Sequence, residues 1–180
     1  MVIGYLCLYL SSQDRQHGET IQENDCQRLL QRNLTLPIHG LGARDIQNTY
    51  DRSRAGGKAH EATDILSPRG TPVLAMDDGV IQKLFLSKPG GLTIYEFDHE
   101  KHFCFYYAHL DRYADGLREG LPVHHGDVIG YVGTTGNAPA NTPHLHLAIF
   151  RLGPEKRWWQ GTAIDPYPVL MSLVKSKPRE

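Results

Sequence analysis

Short apolar segments separated by turns make up most of the chain from residue 60 onward. The segments DIL, PVLAM, GVIQKLFL, LTIYEF, FCFYYAHL, DVIGYVG and LHLAIF are rich in β-branched and aromatic residues, which favour strands. The turn sequences PRG, DDG, PGG, HGD and GN stand between them. No long amphipathic helical pattern and no internal repeat interrupts this series. The pattern therefore predicts an all-β domain, either a sandwich or an open barrel.

The two ends of the chain follow other patterns. The opening MVIGYLCLYLSS is apolar but too short to span a bilayer, and we interpret it as a remnant export signal, a short anchor or an N-terminal strand. Residues 13–36 are polar with weak helical spacing, which predicts a short helix or an ordered arm. The tail from Pro166 has a short apolar run and a basic end, and we expect it to be peripheral. We predict an N-terminal extension over 1–35, a main domain over 36–172 and a basic tail over 173–180.

Charge and cysteine content exclude several classes of protein. With 19 basic and 20 acidic side chains the net charge is -1, and no basic patch is interleaved with aromatics, so we expect no nucleic-acid partner. No segment has the length of an integral membrane span. The three cysteines lie far apart without a CxxC pair, which argues against a disulfide framework or a thiolate zinc site. Cys104, inside the apolar run FCFYY, is predicted to be a small buried core residue.

Five side chains of the types that bind metals and transfer protons are the main functional signal. His60 and Asp64 stand four apart in HEATD, His144 and His146 stand two apart in HLH, and His109 lies between them in YYAHLDRY. Two imidazoles and one carboxylate can hold a zinc ion and leave a fourth position open for water. Two further histidines can then handle protons. This set predicts a metal-activated hydrolase rather than a closed structural metal site.

Strand geometry predicts how these side chains are presented. In a strand through LHLAIF, His144 and His146 would project from one face, and Leu145 and Leu147 would face the core. Turn residues on both sides of HEATD leave little room for a helix, so we expect an extended segment with Asp64 at the start of a strand. The spacing does not decide which of the two HLH histidines would bind metal.

Longer stretches around these motifs resemble a known family. The stretches are HEATDILSPRGTPVLAMDDGVI, YYAHLDRY, LREGLPVHHGDVIGYVGTTGNA and PHLHLAIF, and they resemble the M23 zinc metallopeptidases, the lysostaphin-like or LytM-type peptidoglycan endopeptidases, over about residues 36–170. The resemblance implies a lysostaphin-like antiparallel β-sandwich or open barrel of the duplicated hybrid motif type. It also implies peptidoglycan as partner and substrate, with a periplasmic or cell-envelope location.

The family's site residues have counterparts at matching positions of this sequence. The resemblance implies one Zn2+ per chain with His60, Asp64 and His146 as metal ligands, and His109 and His144 as catalytic histidines that do not bind the metal. The family usually has glycine at the centre of HxGxD, where this chain has Ala62.

Three functions compete at this point. The first is a zinc endopeptidase that hydrolyses peptidoglycan cross-bridges. The second is a catalytically weak M23-like module that binds cell wall or activates another wall hydrolase, as in relatives that have lost ligands. The third is a phosphoryl carrier, because the family's fold resembles the glucose-type phosphotransferase IIA domain. Trp158 and Trp159 could line a substrate groove or pack over the core. The bond cut, the choice of general base between the two catalytic histidines and the oligomeric state stay open.

Overall fold

A computed structural model describes residues 24–50 and 60–176, where nine strands and two helices are found. The predicted export-signal segment lies outside these residues. The strands are β1 (Thr63–Leu66), β2 (Pro72–Leu74), β3 (Gly79–Ser87), β4 (Gly91–Asp98), β5 (Phe103–Tyr113), β6 (Pro122–Val123), β7 (Val128–Val132), β8 (His144–Leu152) and β9 (Gly161–Ile164). The helices are α1 (24–30) and α2 (Pro166–Ser176).

All nine strands belong to one antiparallel sheet. Its main path runs β1-β8-β5-β4-β3-β6, while β7 pairs with both β5 and β2, and β9 pairs with β8. The two ends of this path do not pair with each other among the described residues, so the sheet stays open. The predicted all-β, open antiparallel fold is confirmed. Strand β8 is second in this path and carries the HLH motif between β1 and β5.

The core follows the predicted alternation of side chains but also includes the C-terminal helix. Leu145 and Leu147 of β8 are fully buried, as expected for the inward face. Val169 and Leu170 of α2 are fully buried in the same cluster, so the prediction of a peripheral tail from Pro166 is wrong for this part. The run VLMSLV places apolar residues three and four apart, which suits one face of a helix that packs on the sheet.

The described part of the predicted N-terminal extension packs against the sheet. Leu29 of α1 is fully buried in the core. Asp25 accepts a hydrogen bond of 2.7 Å from Arg151 of β8. The Arg32 guanidinium forms an ion pair with Asp77, at 2.5 Å between Nε and Oδ2. These contacts hold the described residues of the extension against strand β8 and against the loop between β2 and β3.

Cys104 is buried in β5 as predicted, and its burial raises the pKa of its thiol, which keeps it protonated and unreactive. Neither helix of the described residues combines the length and the apolar character that crossing a membrane requires.

Strand β4 carries a fully buried glutamic acid, Glu96, that is not part of the histidine cluster. Glu96 of β4 is fully buried and accepts a hydrogen bond of 2.6 Å from the Tyr107 hydroxyl. Its other oxygen accepts from the backbone N–H of Asp77 at 3.1 Å. Burial raises the pKa of Glu96 to about 8, although the hydrogen bond from Tyr107 acts to lower it. The acid therefore keeps its proton in the folded protein well above the pH at which an exposed glutamate loses it.

This raised pKa predicts a loss of stability as the pH rises. The pKa of Glu96 in the folded protein, about 8, lies above its pKa in the unfolded chain. The folded state therefore binds the Glu96 proton more tightly. The contribution of this proton to stability is fully present below about pH 4.5 and is lost as the pH rises through 8. Between those limits the free energy of unfolding should fall by about 1.4 kcal/mol per pH unit from Glu96 alone. Denaturant titrations of wild type and Glu96→Gln between pH 6.5 and 8 should show the extra slope only in wild type. Parallel curves would contradict the assignment, whatever the absolute stability of the variant.

Candidate metal centre and active site

Strand pairing brings the predicted ligand residues together. In the β1–β8 ladder, Asp64 lies directly opposite His146, and Leu66 lies opposite His144. On the other side of β8, Ala108 of β5 is the partner of His146. Residues opposite each other in an antiparallel pair project from the same face, so Asp64 and both histidines share the outer face. The predicted strand and the predicted shared face of the HLH motif are both found.

Three ligand-type atoms converge at this position. The distance from His60 Nε2 to Asp64 Oδ1 is 3.2 Å, and from His60 Nε2 to His146 Nδ1 it is also 3.2 Å. Asp64 Oδ1 lies 2.8 Å from His146 Nδ1. Ligand atoms bound at the usual zinc distances in a tetrahedral arrangement lie roughly 3.3 Å apart. The three side chains therefore fit a metal ion by donor type and by spacing.

The other two histidines flank this group. The His144 Nε2 atom lies 4.0 Å from Asp64 Oδ1. The ring of His109 lies 4.8 Å from the ring of His144 and 5.5 Å from that of His146, centroid to centroid. All five predicted residues are thus found in one cluster, with three converging and two beside them.

Backbone carbonyls fix which nitrogen carries the proton in three of the four rings. The Nδ1 atoms of His60, His109 and His144 lie 2.9, 2.8 and 2.9 Å from the carbonyl oxygens of Thr49, Thr135 and Thr142, in that order. A carbonyl oxygen can only accept, so each Nδ1 carries hydrogen and donates it. In the neutral ring the lone pair then lies on Nε2. Each of these rings thus directs an atom toward the site that can bind a metal or take a proton.

The surroundings of the site shift two pKa values. Burial alone would raise the pKa of Asp64, but its contacts with His146 and His60 outweigh it and hold that pKa well below its usual range. Burial lowers the pKa of His109 to about 4, against the opposing effect of its hydrogen bond to the Thr135 carbonyl. Asp64 is therefore an anion and His109 a neutral ring near pH 7.

His109 lies in a strained stretch of backbone. Its φ of 60° lies in the left-handed region, which is rare for residues other than glycine. The cause is a β-bulge, because Leu92 and Ile94 of β4 pair with Leu110 and Tyr107 of β5, and two residues of β5 then oppose one of β4. Strain of this kind costs of order 1–3 kcal/mol and is concentrated at functional sites. The bulge turns the His109 ring toward the HLH histidines.

Thr49 is a site residue that the sequence analysis did not single out. It is buried, its carbonyl accepts from His60, and its hydroxyl accepts from the backbone N–H of Asp64 at 3.1 Å. The same hydroxyl donates to the carbonyl of Ala62 at 3.3 Å. One threonine thus contacts both ends of HEATD. Its segment has irregular spacing and no motif, so the sequence held no signal for it.

Removing the Thr49 hydroxyl should weaken metal binding. Thr49→Val keeps the shape and the carbonyl that holds His60 but leaves the Asp64 N–H without its acceptor. Loss of such an outer contact lowers metal affinity by about 10–100-fold. Competition between the protein and a chromophoric chelator for Zn2+ would measure this. Thr49→Ser keeps the hydroxyl and should bind like wild type, and equal affinities for all three proteins would contradict this role.

Ala62 occupies the HxGxD centre without strain. It is fully buried, and its φ does not fall among the left-handed values found in the described residues, whereas its neighbour Glu61 has a φ of 51°. The extra methyl group is accommodated in the core, and the backbone at this position does not require glycine.

An aromatic groove continues from the metal centre along the same face of the sheet. It has a volume of about 460 Å3 and is lined by the rings of Tyr95, Tyr106, Phe150, Trp158 and Trp159. The ring of Tyr106 lies 6.0 Å from that of His146. Trp159 is 62% exposed. Both tryptophans line this groove, and Trp158 also packs against the buried cluster of Phe97, Cys104 and Leu152.

Known proteins that are similar to this chain are peptidases. The model of peptidase family M23 matches residues 58–166. The L-Ala–D-Glu endopeptidase of Bacillus subtilis is 34% identical over 126 residues, which cover 66% of this chain and 36% of that protein. The peptidoglycan DD-endopeptidase ShyC of Vibrio cholerae is 37% identical over 99 residues, which cover 55% of this chain and 22% of that protein. The chain thus spans about a third or less of the length of these two relatives.

Solved structures extend the likeness to the fold. The catalytic domain of the antimicrobial peptidase lysostaphin from Staphylococcus simulans superposes with a TM-score of 0.56 at 28% identity, covering 81% of this chain and 96% of that domain. The family match covers more than half of the chain and includes all five residues of the cluster. This chain belongs to peptidase family M23.

Proposed function

We propose that this chain is a zinc-dependent endopeptidase that hydrolyses peptide bonds in peptidoglycan cross-bridges. The observation that carries the proposal is the convergence of His60 Nε2, Asp64 Oδ1 and His146 Nδ1, with two further histidines beside them. The names of the relatives support peptidoglycan as the substrate class. The alternative of a catalytically weak module is not favoured, because that reading expects at least one of the three ligands to be missing.

The three converging side chains are the proposed zinc ligands. Two neutral nitrogens and one carboxylate suit zinc, and three protein ligands leave a position for water or substrate. Zinc bound there supplies Lewis-acid polarisation of the scissile carbonyl and a water acidic enough to act as nucleophile near neutral pH. The Thr49 carbonyl orients the His60 ring so that its Nε2 faces Asp64 Oδ1 and His146 Nδ1, the atoms with which it would hold the zinc.

His109 and His144 are the proposed catalytic histidines. Each donates its Nδ1 hydrogen to a carbonyl, so its Nε2 can take a proton from the attacking water. The protonated ring can then pass that proton to the leaving amine, or donate a hydrogen bond to the oxyanion. The two rings lie side by side, and the proposal leaves open which of them is the base.

The third hypothesis, a phosphoryl carrier, conflicts with the chemistry of the cluster. Asp64 Oδ1 lies 3.2 Å from His60 Nε2, 2.8 Å from His146 Nδ1 and 4.0 Å from His144 Nε2, so an anion faces the imidazole nitrogens that a phosphoryl carrier would use. A carboxylate in that position would repel an incoming phosphoryl group and would attract a cation.

The proposed setting follows from the substrate. Peptidoglycan lies outside the cytoplasmic membrane, so we propose a periplasmic or cell-envelope location. The proposed catalytic domain is 36–172, preceded by the 1–35 extension and followed by the 173–180 tail. We propose that residues 24–35 of the extension stabilise the sheet, because Leu29 packs in its core and Asp25 bonds to Arg151 of β8.

Digestion of purified peptidoglycan tests the function. The zinc-loaded protein should release muropeptides that lack cross-links, and mass spectrometry of the products should identify the bond that is cut. A chelator should stop release, and added zinc should restore it. Failure to release fragments from several wall types, with one zinc bound per chain, would overturn the proposal.

A further inference from the structure

We propose that the aromatic groove beside the metal centre binds a sugar ring of the glycan strand. This inference rests on the proposed function, because it assigns a second part of the same substrate to the same face of the protein. The peptide bond would lie at the histidine cluster, and an N-acetylhexosamine would lie against the aromatic rings.

The groove is continuous with the metal centre along one strand. Alternate residues of β8 face outward, so the row that begins at His144 and His146 continues through Ala148 to Phe150. On β5, Tyr106 pairs with Ala148 and contacts the ring of His146 at 6.0 Å. Glu61, which follows His60 in the chain, also lines the groove. A substrate that occupies the metal centre can therefore extend into the groove without leaving the surface.

The lining suits a neutral ring with apolar faces. Trp158 packs against Tyr95 at 4.8 Å, Phe85 at 5.3 Å and Trp159 at 5.3 Å between ring centroids, so the indole pair is held in place. A pyranose ring presents C–H groups on its faces and hydroxyl or amide groups at its edge. The faces can stack on the rigid indoles. The Gln160 side chain in the lining can bond to the edge.

The charge of the lining argues against the stem peptide as occupant. Of the described residues that line the groove, Glu61 is the only charged one, and it carries a negative charge. A peptidoglycan stem peptide carries several carboxylates, which Glu61 would repel and no lining cation would pair. A neutral sugar has no such penalty, and its hydroxyls can donate to Glu61.

The geometry also limits the distance between sugar and scissile bond. Phe150 lies four positions after His146 on β8, a rise of about 13 Å at roughly 3.3 Å per residue. An extended peptide covers that distance with about four residues, and fewer if the sugar ring spans part of it. The bond that is cut would thus lie within a few residues of the glycan strand.

Intrinsic fluorescence tests the groove directly, because the sequence contains only two tryptophans and both line it. Chitotetraose added to the zinc-loaded protein should change the emission saturably. The free stem peptide, read by stopped flow before turnover, should not. A saturable change with the peptide and none with the saccharide would assign the groove to peptide and overturn the inference, as would no change with either.

Variants show whether stacking causes the signal. Trp159→Ala leaves Trp158 as reporter and should weaken chitotetraose binding by roughly tenfold, the size of one aromatic contact. Trp159→Phe should retain most of the affinity. Leu86→Ala removes a side chain that is 70% exposed outside the groove, and it should bind like wild type. Equal affinities for Trp159→Ala and wild type would overturn the inference. The binding test needs no peptide cleavage, so its failure is separate from failure of the proposed function.

Discussion

Asp64→Asn should lose both the metal and the activity. Asp64 Oδ1 lies within 3.2 Å of the converging nitrogens of His60 and His146, and its charge is the only negative one in the cluster. Asparagine keeps the shape but removes that charge, so two imidazoles alone would face a divalent cation. Because a bound metal contributes several kcal/mol to the transition state, we expect kcat/KM on cross-linked muropeptides to fall by at least about a thousandfold.

Metal content separates this result from misfolding. Native mass spectrometry should show one zinc in wild type and little or none in Asp64→Asn at the same free zinc concentration. Circular dichroism should show the same strand content in both. Asp127→Asn changes an exposed carboxylate whose contact is the His124 N–H, outside the cluster, and should keep both metal and activity. If Asp64→Asn kept full zinc occupancy and wild-type turnover, the ligand assignment would be wrong.

The strand pattern of the chain was predictable because each segment alternates or clusters its apolar residues within a few positions. LHLAIF forms β8 with Leu145 and Leu147 buried and both histidines outward, as period-2 spacing requires. That His60, Asp64, His109, His144 and His146 lie in one cluster was predictable for a different reason. They occur in three short motifs whose combination and order are typical of the family.

Features that depend on contacts between distant segments were not predictable. Thr49 reaches His60 and Asp64 through a carbonyl and a hydroxyl, and nothing in its local sequence indicates such contacts. The bulge at His109 arises from the pairing of β5 with β4, which a single segment cannot reveal. Helix α2 was missed because its apolar run is short and begins with two prolines within three residues. It is stabilised by burial of Val169 and Leu170 rather than by propensity.

His109→Asn should lower turnover while the metal stays bound. The His109 ring lies beside those of His144 and His146, at 4.8 and 5.5 Å between centroids, but it contributes no atom to the converging group. Proton transfer by a positioned side chain contributes about 10²–10⁴-fold, so kcat should fall by that factor. Asparagine tolerates the left-handed φ of 60° found here, so the bulge can persist in the variant.

Two measurements on one preparation decide between a catalytic and a structural role for His109. Zinc content should equal that of wild type, and kcat should fall while KM changes little, because the lost interaction belongs to the transition state. His124→Asn, at a histidine whose side chain is 82% exposed, should match wild type in both. Loss of zinc together with kcat would mean that His109 holds the metal site in shape. Unchanged kcat would contradict the role of His109 and leave His144 as the histidine that transfers the proton, because the two rings lie side by side at 4.8 Å.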